Sequence, residues 1–76
     1  MMDKRAVIDL IHSMNVSEDI LVLDGSLRDG YCVRRNGHCW EVLVRERGTE
    51  SDVMGFPSEE DALRYLSEIL MRIYCK

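Results

Sequence analysis

The sequence predicts an α+β fold of two layers, helix–antiparallel sheet–helix in the order α-β-β-β(-β)-α, with both helices on one sheet face. Three observations predict it. Apolar residues recur at helical spacing near both ends of the chain, and the segments between them alternate apolar and polar residues as half-buried strands do. Asn36-Gly37 marks a hairpin. Since each helix has one apolar stripe and the sheet one apolar face, a two-layer sandwich is the simplest arrangement.

Length and composition indicate one small domain, residues 1–76. The content of 46% hydrophobic residues excludes a disordered tail. No apolar run approaches the ~20 residues of a membrane span, so no membrane association is expected. The net charge of −4 disfavours nucleic acid and favours basic protein partners. Solubility alone would also explain the acidity.

The cysteines and the N-terminus predict a cytoplasmic protein. Three cysteines are an odd number, and Cys32 and Cys39 are too far apart across the predicted hairpin for a disulfide. The N-terminal segment has acids inside its apolar stretch and lacks the pattern of a signal peptide. No CxxC pair or histidine cluster is present, so no zinc site is expected.

The first helix is predicted from Asp3 to Met14, with Asp3 as its N-cap and Asn15 as its stop. Its apolar stripe is Val7, Leu10, Ile11 and Met14. A short strand is expected at 20–23. The segment 24–30 contains two Asp-Gly pairs, which favour turns. It lacks the further ligands of a calcium loop and the Lys-Ser/Thr helix start of a phosphate loop.

The central hairpin surrounds a two-residue type I′ turn at Asn36-Gly37, which would pair Val33 with Trp40. Because side chains alternate along a strand, the sequence assigns each residue to a face. The inner, apolar face would carry Tyr31, Val33, Trp40, Val42 and Val44. The outer face would carry Cys32, Arg34, Cys39, Glu41, Leu43 and Arg45.

A second turn at 47–50 and a last strand at 51–56 should follow. Pairing Glu46 near Ser51 would add Val53 and Gly55 to the inner face, and Asp52 and Met54 to the outer face. The second helix should begin after the N-cap Ser58 and run to about residue 74. Its buried stripe is predicted as Leu63, Leu66, Leu70 and Ile73, broadened by Ala62 and Ile69.

The pattern of chemical residues does not predict an enzyme or a cofactor site. Nucleophilic catalysis needs a base beside the nucleophile. His38 and Cys39 are adjacent in a strand, so their side chains should point to opposite faces. The element order also matches the double-stranded RNA-binding domain, which contacts phosphates at the start of its second helix. Here that position is acidic, Ser58-Glu59-Glu60-Asp61, so RNA binding is not expected.

The outer face mixes charges with apolar residues, a composition typical of protein interfaces. Its candidate contact residues, with the neighbouring turn, are Arg34, Glu41, Leu43, Arg45, Glu46, Arg47, Asp52 and Met54. The alternative is a solvated face with cross-strand ion pairs, such as Glu41 between Arg34 and Arg45.

One stretch resembles a known family. The motifs are Tyr31-Cys32-Val33, Trp40-Glu41-Val42, Glu46-Arg47-Gly48, Phe56 and Ser58-Glu59-Glu60-Asp61-Ala62. In this order they resemble small bacterial immunity proteins of polymorphic and contact-dependent toxin systems, over about residues 31–66. The resemblance implies a protein without catalytic activity that binds a cognate toxin domain, often a nuclease, and blocks its active site or substrate approach. A basic toxin would suit the negative charge.

We therefore expect a cytoplasmic, monomeric or homodimeric immunity protein that contacts its toxin through the outer face and the Glu46-Arg47-Gly48 turn. The alternative is a homodimeric regulatory or structural adaptor that pairs through that face or an edge strand.

Overall fold

The computed structural model describes residues 2–74, which form two helices and a four-stranded mixed sheet with strand order β1-β2-β3-β4. The elements are α1 Lys4–Ser13, β1 Leu21–Val22, β2 Gly30–Asn36, β3 Cys39–Glu46, β4 Thr49–Phe56 and α2 Glu59–Tyr74. A single 3-10 turn, Glu18–Ile20, precedes β1. The predicted α+β order is confirmed.

Both helices begin at the predicted caps. The Ala6 amide donates to the Asp3 carboxylate at 2.9 Å, and the Asp61 amide donates to the Ser58 hydroxyl at 3.1 Å. Each cap satisfies an amide that has no partner in the first turn of the helix. Asn15 has a φ of 60° just beyond α1, where the helix stops as expected.

One main core lies between the helices and the inner face of the sheet. Its buried residues are Val7, Ile11, Leu21, Val33, Val42, Ala62, Leu63, Leu66 and Leu70. Trp40 is half-buried against this core, so its predicted inner position is confirmed. Ile73 is different: the periodicity of α2 predicts it as buried, and it is 41% exposed.

The register of the β2–β3 hairpin differs from the predicted one by two residues. Asn36 pairs with Cys39, and the loop is Gly37-His38. Gly37 has a φ of 65°, which suits the first central position of a type II′ turn. The observed register places Arg34 opposite Glu41 and Val33 opposite Val42, so opposite charges face each other and apolar side chains face each other across the strands. A shift of two residues leaves the predicted faces unchanged.

The β3–β4 register differs in a way that changes faces. The turn is Arg47-Gly48, both with positive φ, which is a two-residue type I′ turn instead of the expected four-residue one. The pairing shifts by one residue between Val42 and Val44, and Asp52 on the bulged strand has a φ of 54°. Beyond this bulge Met54 pairs with Val42, so it lies on the inner face and not on the predicted outer face.

Candidate functional site

The part of the outer face around Cys32, Leu43 and Arg45 is covered by the loop between β1 and β2. The two strands are parallel, with Val22 opposite Cys32. A parallel neighbour must start from the same end, so residues 23–29 have to return along the sheet. The helices occupy the inner face, and the loop runs over the outer one. Beneath it, Val22, Cys32 and Leu43 form a second buried cluster.

Arg45 lies beneath this loop, binds it through hydrogen bonds and is only 5% exposed. Its Nη1 donates to the carbonyl oxygens of Ser26 and Arg28, each at 3.2 Å. Its Nη2 donates to the Glu50 carboxylate at 2.8 Å. A buried guanidinium with these partners is a structural group, because its donors are satisfied by loop carbonyls and a carboxylate and not by solvent.

A second attachment joins the same loop to the β3–β4 turn. The Asp29 carboxylate accepts the amides of Arg47 and Gly48 at 2.9 and 3.2 Å. Asp24 acts within the loop, where its carboxylate accepts the Ser26 amide at 3.0 Å. This hydrogen bond holds the pKa of Asp24 below its ordinary value. The predicted turn role of Asp24 is therefore confirmed, whereas Asp29 binds the distant β3–β4 turn and is followed directly by β2.

The charged residues of the outer face pair with one another across three strands. Arg34 donates to Glu41 at 2.8 Å and to Glu50 at 2.8 Å, and Glu50 also accepts from Arg45. The hydrogen bonds from Arg45 and then Arg34 hold the pKa of Glu50 below its ordinary value. The bond from Arg34, with one from Asn36, does the same for Glu41. The pairing expected between Arg34 and Glu41 is confirmed, and Arg45 pairs with Glu50 instead of Glu41.

The structure separates the eight predicted contact residues into three groups. Leu43, at 0% exposure, and Arg45 lie under the loop, so the expectation that they form an exposed strip is wrong. Met54 lies on the inner face of the sheet and not on the predicted outer face, because of the one-residue shift at the bulge. Asp52 lies at the bulge and lines the same inner side. The remaining residues of the predicted surface are Arg34 and Glu41, which are partly exposed, and Glu46 and Arg47, which are exposed.

A groove that the sequence did not predict opens on the inner side, between β4 and the C-terminal half of α2. Its volume is about 370 Å³. We call it the β4–α2 groove; it is lined by Tyr31, Val42, Val44, Asp52, Val53, Met54, Tyr65, Ile69 and Ile73. Val53, Met54 and Ile73 are between 41 and 45% exposed. The one local signal for it is Asp52, since aspartate is rare in strands and tolerates positive φ at a bulge.

A smaller depression of about 330 Å³ lies at the opposite edge of the sheet, beside β1, where α1, the 3-10 turn and the β1–β2 loop meet. Its lining alternates charge, with Lys4 and Arg28 among Glu18, Asp19 and Asp24. Arg28 already donates to the Leu21 carbonyl and the Ser26 hydroxyl. With two basic and three acidic residues, the depression has a small excess of negative charge.

The described part of the chain contains a buried thiol, Cys32, and an exposed one, Cys39. Burial raises the pKa of the Cys32 thiol, which keeps it protonated and a poor nucleophile at neutral pH. Among residues 2–74 no three histidine, cysteine or acidic side chains are close enough together to hold a metal ion. What the arrangement offers is surface: a neutral, self-paired outer face and an open apolar groove.

No helix in the described part of the chain combines the length and apolarity needed to cross a bilayer. Comparisons with protein-family models, curated proteins and solved structures give no match to this chain.

Proposed function

We propose that the chain is an immunity protein that binds and neutralises a cognate bacterial toxin domain, such as a nuclease, in the cytoplasm by blocking its active site. The observation that carries the proposal is the β4–α2 groove. An open apolar groove on an acidic domain is typical of a site for another protein. The motif order over residues 31–66, which resembles immunity proteins, supports a toxin as the class of partner.

The distribution of charge supports a basic partner. The outer-face network contains two arginines and two glutamates and is neutral, so the net charge of −4 lies elsewhere on the chain. An excess of negative charge accelerates encounter with a positively charged protein. Nucleases that act on phosphates need such positive surfaces, which makes them suitable partners.

The groove is a better central contact than the outer face. The charges of Arg34 and Glu41 already satisfy each other, and a partner that used them would have to replace those bonds. The groove offers exposed apolar surface whose burial is favourable without such a loss. The Glu46-Arg47-Gly48 turn stays a prediction for the edge of the interface.

The test is co-expression of the chain with the neighbouring open reading frame of its source. A one-to-one complex that survives purification, together with loss of toxicity, is the expected result. An unrelated acidic domain of equal net charge serves as the control for capture by charge alone. Undiminished toxicity and no complex would contradict the proposal.

The adaptor alternative is favoured by one observation, the position of β4 at the edge of the sheet with Val53 and Met54 exposed. Edge strands can pair with a second copy. The bulge at Asp52 opposes this, because bulges and charges are the usual protection of an edge. Sedimentation over a range of concentrations tests this alternative, since the adaptor requires a dimer and a monomer at every concentration would exclude it.

A further inference from the structure

We infer that the β4–α2 groove receives a toxin segment in which an apolar side chain stands next to a lysine or arginine, and that Asp52 is the partner of that cation. The inference rests on the proposed function, because it names the surface and the chemistry of the bound segment. Both parts of the recognition come from the lining of the groove.

The apolar part follows from shape and exposure. Val42 and Val44 of β3 form one side of the lining, while Tyr65, Ile69 and Ile73 of α2 form the other. A volume of about 370 Å³ lies within the range of roughly 300–1,000 Å³ found for ligand pockets. A partner's apolar side chain would bury both itself and the exposed rim, which is the main source of affinity at such sites.

The charged part follows from Asp52. It is the charged residue in the described lining, and the ion pairs found within residues 2–74 do not involve it. Its neighbour Glu50 is engaged by Arg34 and Arg45 on the other face. The Asp52 carboxylate is therefore available to an incoming cation, and its attraction strengthens as the apolar contact excludes water.

The same carboxylate argues against a second copy as the occupant. In a twofold dimer that joins groove to groove, each residue of the interface meets the same surface of its mate. Such a contact would bring two Asp52 carboxylates into one apolar interface with no cation from the described lining of either copy to pair with them, which is unfavourable. A cation-bearing segment of a different protein satisfies both the apolar walls and the charge.

Two matched pairs of variants test the inference in the toxin complex. Ile73→Lys places a cation in the groove, while Met71→Lys makes the same change on the same helix outside the lining, at a nearly equal exposure of 42 against 41%. Asp52→Asn removes the groove charge, while Asp19→Asn removes an exposed charge remote from it. Thermal melting confirms that each variant folds.

Calorimetric titration with the purified toxin domain gives the readout. We expect Ile73→Lys to weaken binding about 100-fold and Asp52→Asn about 10-fold, the latter equivalent to about 1.4 kcal/mol. Both controls should stay within about twofold of the unaltered chain. If toxin binds all four variants equally, the inference is overturned while the proposed function stands. A dimer of the unaltered chain that Ile73→Lys dissociates would place a second copy in the groove and also overturn it.

A peptide titration tests the groove even where no toxin binds. The ¹⁵N-labelled chain is titrated with an acetylated, amidated pentapeptide of alternating leucine and lysine, and with its leucine–glutamate counterpart. The inference expects shifts around Asp52, Val53 and Ile73 with the lysine peptide alone, reduced in Asp52→Asn and retained in Asp19→Asn. Equal shifts with both peptides, no shifts, or shifts without preference for the groove refute it.

Discussion

Replacing Leu43 by alanine tests whether the outer face is a second small core or an open surface. Leu43 is 0% exposed beneath the β1–β2 loop, and Leu27 in that loop is 82% exposed. The two substitutions remove the same atoms, so any difference between them comes from burial. Leu43→Ala and Leu27→Ala are therefore a matched pair.

The expected loss comes from the packing around Leu43. Replacing a buried leucine by alanine usually lowers the free energy of unfolding by about 2–5 kcal/mol. Because the β1–β2 loop above Leu43 can partly collapse into the cavity, we expect a loss at the lower end of this range, about 2–3 kcal/mol. A chain of this size has a total stability of about 4–11 kcal/mol. Leu27→Ala should change stability by less than about 0.5 kcal/mol.

Urea unfolding followed by the fluorescence of Trp40, the one tryptophan of the sequence, measures both variants. Trp40 lies on the opposite face of the sheet, against the main core, so neither substitution alters its surroundings directly. With a slope of about 1 kcal/mol per molar urea, the midpoint of Leu43→Ala should fall by about 2–3 M. Equal midpoints for the two variants would mean that the loop does not cover the sheet, and would refute the reasoning.

Two further predictions concern the charged attachments of the same face. Asp29→Ala removes the acceptor of both amides in the β3–β4 turn and should destabilise the fold by about 1–2 kcal/mol. Asp24→Ala breaks a hydrogen bond inside the loop and should cost less. An unchanged melting temperature for Asp29→Ala would contradict this. Because its arginine partners hold the pKa of Glu50 below the ordinary value of 4.5, the folded state binds fewer protons than the unfolded state as pH falls. The stabilisation is thus complete above pH 4.5 and is lost as pH falls through the folded-state pKa of Glu50. The melting temperature should drop over this range, and it should drop less steeply in Glu50→Gln. An identical pH profile for that variant would count against the network.

Asp52 shows why the groove could not be read from the sequence. A one-residue shift in pairing exchanges the two faces of a strand. Strict alternation in β4 therefore assigned Met54 to the outer face, and the bulge moves it to the inner one. The exposure of Ile73 has a different origin: residues 71–74 at the end of α2 are all exposed, and helical periodicity alone does not show where the burial of a helix ends.

Arg45 and Leu43 illustrate the second difference. Their place on the outer face follows correctly from alternation along β3. Their burial depends on a loop whose bonds to Arg45 join residues 17 and 19 positions apart. Such contacts form only when the whole chain folds, so no local sequence pattern predicts them.

Local patterns in the sequence are enough to predict the two helices with their caps at Asp3 and Ser58, the succession of strands along the chain, and the faces of the central hairpin. Each of these depends on residues a few positions apart, through periodicity, capping and turn geometry. The tertiary structure alone decided the parallel pairing of β1, the loop over the outer face, and the bulge in β4. These depend on contacts between distant residues, and they moved the candidate binding surface from the outer face to the β4–α2 groove.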